Sequence, residues 1–155
     1  MYETALTFHN ILRLAVVVVS AWVVFRALRG WFGKRQWTAG DRVSALVLMI
    51  LVDVQLTIGI LLHLVWSPVT KSAFSNMSAA MKDSSIRRFL VEHPVMMIGG
   101  VALVHAAKVM NKTAPSDSVR HRRMAIFIGI ALILFFVGSP WPWQAVPRPW
   151  LRMPG

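Results

Sequence analysis

A small set of polar and ionisable side chains occurs within the long apolar segments of the sequence. The histidines are His9, His63, His93 and His105, and the other candidates are Arg13, Asp53, Gln55 and Glu92. Such groups are costly in a membrane interior and commonly functional, so they are the first residues to consider for chemistry. The chain has no cysteine, which excludes disulfides, thiolate metal sites and cysteine nucleophiles. Metal ligation by imidazole and proton transfer are therefore the chemistries to test.

The composition indicates a membrane protein. Of 155 residues, 56% are hydrophobic and 15% are charged, and the mean hydropathy is +0.58. This is more apolar than a typical globular domain, which excludes intrinsic disorder, a nucleic-acid-binding module and a conventional soluble enzyme core. The chain has a net charge of +11. Its basic residues lie between the apolar runs, where anionic lipid headgroups are the expected partners instead of nucleic acid.

Four segments are long enough to span a bilayer as helices, which requires about 20 mostly apolar residues. They cover approximately residues 7–28, 43–66, 89–110 and 124–140. The sequence therefore predicts an all-α integral membrane protein: one domain over residues 1–155, folded as an up-down-up-down bundle of four transmembrane helices.

The segment between the second and third spans has a different pattern. Phe74, Met77 and Met81 recur at helical spacing among Ser, Asn and Lys residues. This favours a short amphipathic helix on the membrane surface or over the bundle. The pattern is equally compatible with an ordered loop in this segment.

The distribution of basic residues predicts the orientation. The first and third loops and their flanks hold ten Lys and Arg, against seven on the other side, including Arg148 and Arg152. The positive-inside rule then places both termini on the outer side of the membrane. Gly99, Gly100 and Gly129 permit close helix packing. The tryptophans that flank the spans are expected to be interfacial anchors, and they are Trp31, Trp37, Trp66, Trp141, Trp143 and Trp150.

Three histidines are predicted to lie at the same depth in the membrane. His9 and His93 begin the first and third spans and His63 ends the second, so all three approach the same face. His105 lies about 18 Å further along the third helix and about 120° around it from His93. The pattern suits one haem b, held by His9 and His93 with His63 as a rival ligand. Interfacial structural roles or contact with a quinone are the alternatives.

Asp53 lies near the bilayer midplane and needs a partner or a proton. His105 and Gln55 are the candidate partners, and the role is either proton transfer or a hydrogen bond that fixes helix packing. Glu92 precedes His93. It is expected to stabilise the start of the third helix, with pairing to Arg13, Arg87 or Arg88 as the alternative. His121, in the third loop, is expected outside the core.

Several motifs resemble a family of small bacterial four-helix membrane proteins that is loosely labelled cytochrome b-like. They are Asp53-Val-Gln55-Leu-Thr-Ile-Gly59, Arg88-Phe89-Leu-Val-Glu92-His93-Pro94 and His121-Arg122-Arg123, and Glu92-His93-Pro94 is the most specific. The resemblance implies haem and a bioenergetic role. Some relatives carry a histidine in place of Asp53, which would form a second haem pair with His105, and this chain lacks that pair.

These features predict a membrane electron-transfer protein or subunit of the bacterial inner membrane. The alternative is a non-catalytic accessory subunit of a larger respiratory or photosynthetic complex, with other membrane subunits as partners. Either role fits better than a stand-alone enzyme. A transporter is disfavoured because Ser20, Asp53, Gln55 and Thr57 are too few to line a polar path.

Overall fold

The computed structural model describes residues 1–143, which are helical throughout apart from short connections. The α-helices are α1 (Tyr2–Phe32), α2 (Ala39–Leu61), α3 (Pro68–Ser75), α4 (Met77–Lys82), α5 (Ser84–Arg87), α6 (His93–Lys112) and α7 (Asp117–Gly138). Two π-helical turns, Leu62–Trp66 and Arg88–Glu92, extend α2 and lead into α6. Arg148, Trp150 and Arg152, which entered the predictions of orientation and anchoring, lie outside the described residues.

Four helical stretches are long and apolar enough to cross a membrane, as predicted. They are Tyr2–Phe32, Ala39–Trp66, Ser84–Lys112 and Asp117–Gly138, and the protein is a multi-pass membrane protein. Their ends differ from the predicted spans because polar flanking residues are also helical. The last helix begins at Asp117 instead of residue 124, since the Ser116 side chain accepts a hydrogen bond from the Val119 amide and caps the helix.

The long helices form a ring. α1 packs against α2 and α7, and α6 packs against the same two helices, so α1 and α6 are diagonal to each other. Buried Val16, Val23, Leu48, Val104 and Ile128 belong to the common core. Many large apolar side chains on the outer faces remain exposed, which is the surface that lipid covers.

Glycines allow close helix contacts at three points. A side chain at Gly30 would collide with the ring of His121, at Gly100 with the ring of Phe135, and at Gly138 with Met96 and Met97. The prediction for Gly100 is thus confirmed. Gly129 has nothing near its missing side chain, so the expectation that it permits close packing is wrong.

Prolines explain the two π-helical turns. Pro94 has no amide hydrogen, and in a regular helix its ring would collide with the carbonyl four residues earlier. The backbone widens instead, and the amide of His93 bonds to the carbonyl of Arg88. Before Pro68, the amide of Ser67 similarly bonds to the carbonyl of Leu62 at 2.8 Å. Both turns lie at the end of the bundle where α1 begins.

The connection between α2 and α6 is helical, which is one of the two alternatives predicted for it, but it is divided into three short helices instead of one. Asn76 and Asp83 interrupt it, because each side chain accepts amide hydrogen bonds that start a new helix. Ala73, Ala80 and Leu90 form its small buried cluster. Its larger apolar side chains Phe74, Met77 and Met81 remain exposed.

Trp141 follows the end of α7 and is packed onto the bundle. It is 2% exposed, and its indole N–H donates to the carbonyl of Phe136. The guanidinium of Arg13 lies 5.0 Å from the centre of its ring. The cause is that α7 ends at Gly138 and the extended backbone of Ser139 carries Trp141 onto the bundle.

Candidate functional site

A cavity of about 450 Å³ lies at one end of the bundle, bounded by α1, α2, α6 and the end of α7. Its lining is mostly apolar, with a few polar side chains directed at the same space. Among the polar lining residues are His9, Asn10, Arg13, Gln55, His63 and His93. A largely apolar cavity with a few convergent polar groups is typical of a cofactor or small-molecule site.

His9 and His93 face each other across this end of the bundle. Their ring centroids are 6.3 Å apart and their planes are inclined by 72°. The helices that carry them are diagonal in the ring, so the two imidazoles meet across its centre. His9 and His93 therefore face each other at the same depth, as their positions in the sequence predict.

The ring of His93 is oriented by the end of α7. Its Nδ1 lies 2.9 Å from the carbonyl oxygen of Gly138. Because a carbonyl oxygen only accepts, Nδ1 must carry the hydrogen, and in the neutral imidazole Nε2 then keeps its lone pair. A histidine fixed through one nitrogen to a carbonyl, with the other nitrogen available, is the usual arrangement of a metal-binding imidazole.

The ring of His9 is positioned by α2. A side chain at Gly59 would come within 3.2 Å of His9 Cε1, so the absence of one leaves space for the imidazole. The amide nitrogen of Gln55 donates to the backbone carbonyl of His9 at 3.0 Å. Within the described chain, His9 Nδ1 and Gln55 Oε1 are buried without hydrogen-bond partners.

Arg13 brings a positive charge to the wall of the cavity. It is 5% exposed, one turn after His9 on α1, and its Nη1 donates to the carbonyl of Pro140 at 2.9 Å. The sequence marks Arg13 as an ionisable group within the first apolar segment and as a candidate partner of Glu92. The guanidinium of Arg13 also lies 5.0 Å from the centre of the Trp141 ring, and a tryptophan face binds guanidinium groups.

His63 lies in the π-helical turn Leu62–Trp66 and lines the same cavity. Its ring packs edge-on against Phe74 of α3, with centroids 6.1 Å apart. The short helices over this end of the bundle thus contact His63 but leave His9 and His93 facing each other.

His105 lies away from the cavity, on the outer face of α2 and α6. Its Nε2 is 2.8 Å from Oδ1 of Asp53, and both side chains are about half exposed. Of the two predicted partners of Asp53, His105 is the one it contacts. Gln55 faces the cavity instead.

Glu92 does not have its favoured role. Its side chain makes no capping hydrogen bond at the start of α6, and its carboxylate pairs with Arg87 at 3.0 Å. The reason is the π-helical turn between them, in which residues five apart fall on the same face. The alternative of pairing with Arg87 is confirmed.

His121 lies at the opposite end of the bundle, and its expected place outside the core is wrong. It is 1% exposed, fits against Gly30 of α1 and packs edge-on against Trp37 at 4.9 Å. Its role is to pack α7 against α1, and the missing side chain of Gly30 makes that contact possible.

Comparison of the chain with protein-family models, curated protein sequences and solved structures gives no match. Within the described residues, no three His, Cys, Asp or Glu side chains are grouped so as to hold a metal ion by themselves. The geometry of the cavity is therefore the basis for a functional proposal.

Proposed function

We propose that this protein is a membrane electron carrier, or an electron-transfer subunit, that binds one haem b, which His9 and His93 would hold. The observation that supports the proposal is the facing of these two imidazoles across an apolar cavity. The same arrangement of the two imidazoles supports the resemblance of the sequence to the cytochrome b-like family.

The dimensions of the site fit such a group. Two imidazoles bonded at about 2 Å to opposite sides of one metal ion have ring centroids about 6 Å apart, close to the 6.3 Å between His9 and His93. The cavity of about 450 Å³ lies in the range of about 300–1,000 Å³ that small-molecule sites occupy. Two protein ligands suffice for haem, because its macrocycle supplies the others.

The residues of the chain would prepare the site before a cofactor arrives. The Gly138 carbonyl fixes the tautomer of His93, and Gln55 and Gly59 position His9. Arg13 supplies a positive charge that attracts anionic groups, and the apolar lining excludes water. A bound haem would supply one-electron redox chemistry.

The proposal includes a location. We place the chain in the bacterial inner membrane with its basic loops in the cytoplasm, because those loops hold the larger share of Lys and Arg. Both termini and the cavity then lie on the periplasmic side, where the redox partner would bind.

The second candidate is an accessory subunit of a larger respiratory or photosynthetic membrane complex. It is favoured by the described residues, which form a helical bundle with short connections and no separate extramembrane domain in the range 1–143. In that case a quinone could occupy the same apolar cavity, with its histidines as hydrogen-bonding groups.

An absorption spectrum of the purified protein tests the proposal. Protein from haem-replete cells should show Soret and α bands, with about one haem per chain by extraction. His9→Ala and His93→Ala should each lose the reduced α band and most of the haem, while His63→Ala should retain both. Circular dichroism should show that all three variants remain helical.

Two outcomes would overturn the assignment. A colourless protein that also fails to bind added haemin would reject haem. Loss of haem only in His63→Ala would reject the ligand pair. A quinone extracted from the colourless protein, and depleted in His93→Ala, would favour the second candidate.

A further inference from the structure

Asp53 and His105 form a polar pair near the middle of the membrane-spanning bundle. Asp53 is about 21 Å from the start of α2 and about 20 Å from Trp66 at the end of the continuous helix, at 1.5 Å per residue. Its carboxylate contacts His105 Nε2 at 2.8 Å. His105 is about 10 Å from the end of α6 at Lys112, and Lys108 lies one turn after it. The pair therefore lies at the depth of lipid hydrocarbon, with a cationic side chain one turn away on α6.

The pair lies on the outer face of the bundle. The side chains are 45% and 46% exposed, and among the described residues neither Oδ2 of Asp53 nor Nδ1 of His105 has a hydrogen-bond partner. Exposed Ile50, Val54 and Val109 are near the pair in sequence on the same two helices. Lys108, one turn after His105, extends to Met49 of α2, with its Nζ 3.4 Å from Sδ. We call this surface, centred on Asp53 and His105, the α2–α6 face.

Lipid cannot satisfy these atoms. Hydrocarbon tails offer no donors or acceptors, and ionisable side chains in transmembrane helices almost always face other protein or a water-filled cavity. A polar group without a hydrogen-bond partner is strongly disfavoured in an apolar medium. A polar surface must therefore cover the α2–α6 face.

We propose that the α2–α6 face binds a second copy of this chain across a two-fold axis. The face is complementary to itself, because each copy brings one free acceptor and one free donor. In the ion-paired form, Nε2–H of His105 donates to Asp53 within its own chain. Nδ1–H can then donate to Oδ2 of Asp53 in the other copy.

Two-fold symmetry makes the same contact twice. A two-fold interface applies one surface patch to itself, so donor and acceptor are satisfied in both copies at once. The two carboxylates and two imidazoliums together carry no net charge. A different partner would have to supply both a matching donor and a matching acceptor at this depth.

Neighbouring residues suit close helix packing. Ala102, one turn before His105 on α6, is small and exposed. Thr57, one turn after Asp53 on α2, is exposed and donates its hydroxyl hydrogen back to the Asp53 carbonyl at 2.8 Å. Small and hydroxyl-bearing residues are enriched where transmembrane helices meet.

Cysteine cross-linking in native membranes tests the proposal, since the natural chain has no cysteine. Thr57→Cys and Ala102→Cys flank the polar pair, and Ile130→Cys on the exposed side of α7 is the matched control. On mild oxidation, at least one of the two flanking variants should give a disulfide-linked species of twice the chain mass. The control should not.

A second measurement tests the role of the polar pair. Native mass spectrometry of the detergent-solubilised wild type should give a dimer. Asp53→Leu/His105→Leu should be at least tenfold more dissociated, whereas the exchanged pair Asp53→His/His105→Asp keeps the self-complementary groups and should retain more dimer than either single substitution. The exchange remains informative if the Leu variant does not fold.

Several results would contradict the proposed two-fold contact, and each can be recognised separately. A wild-type monomer, equal cross-linking at Ile130→Cys, or a dimer indifferent to the Leu substitutions would overturn the proposal. So would a cross-linked species whose added mass differs from that of this chain, because the face would then bind a different membrane protein. None of these results depends on whether haem is bound.

Discussion

His93 and His121 both lie on apolar helices, but their rings have different surroundings. His93 is held by a carbonyl on one nitrogen and borders a cavity. His121 is enclosed by Gly30 and Trp37, where no ligand could reach it without displacing packed atoms. His105 has a third environment, with its Nε2 already used by Asp53. What contacts each ring thus decides which histidines can act as ligands.

Gly59→Val tests how His9 is positioned. A side-chain carbon at Gly59 would lie 3.2 Å from His9 Cε1, so valine should displace the ring and destabilise the protein by about 1–3 kcal/mol, as overpacking does. We expect a lower melting temperature in detergent, together with loss or a shift of the haem bands wherever haem is present.

Gly129→Val is the matched control for this substitution. Gly129 has open space at the corresponding position, and valine there should leave both the melting temperature and the spectrum close to those of the wild type. Equal effects of the two substitutions would show that loss of a helical glycine, instead of contact with His9, is responsible.

At this scale the sequence predicted only part of the site. The common depth of His9 and His93 follows from their places at the starts of two parallel spans. The burial of His121 and Trp141 does not, because it depends on Gly30 and Arg13, each more than ninety positions away in the chain. Nothing local in the sequence marks those partners.

At the scale of elements, the long helices were predictable because a bilayer leaves few other ways to satisfy the backbone. The ends of these helices were less predictable, because capping side chains and prolines decide where each helix begins and ends. Ser116 moves the start of α7 into the polar loop, and Pro94 widens the turn before α6. That turn changes the partner of Glu92 from the helix end to Arg87.

The contact between α1 and α7 yields the next prediction. Gly30→Ala would place a carbon where the ring of His121 lies, and a fully packed contact has little room to relax. We expect a loss of about 1–3 kcal/mol in the free energy of unfolding, measured by denaturation in detergent.

The double variant Gly30→Ala/His121→Ala distinguishes this collision from a general effect on α1. Removal of the ring leaves space for the new methyl group, so the double variant should be more stable than the sum of the two single losses implies. Simple additivity would show that the two residues do not interact as described.

At the scale of the whole molecule, the two ends of the bundle differ in chemistry. One end holds the cavity and its three histidines. The other holds the basic loops, where Arg26 pairs with Asp41 at the start of α2. The sequence predicted this polarity from charge and helix order. The ring order that makes α1 and α6 diagonal, and so lets His9 meet His93 across the centre, depends on packing and could not be deduced from hydropathy.

The orientation of this polarity in the membrane decides which compartment the cavity faces. Ser78→Cys, between α2 and α6, and Thr113→Cys, between α6 and α7, lie at opposite ends of the bundle, and both positions are exposed. Neither substitution alters the number of Lys and Arg residues that the positive-inside rule counts. In intact spheroplasts, a membrane-impermeant maleimide should label Ser78→Cys at once and Thr113→Cys only after permeabilisation. The reverse pattern would place the cavity on the cytoplasmic side, and the proposed redox partner would then have to be a cytoplasmic one.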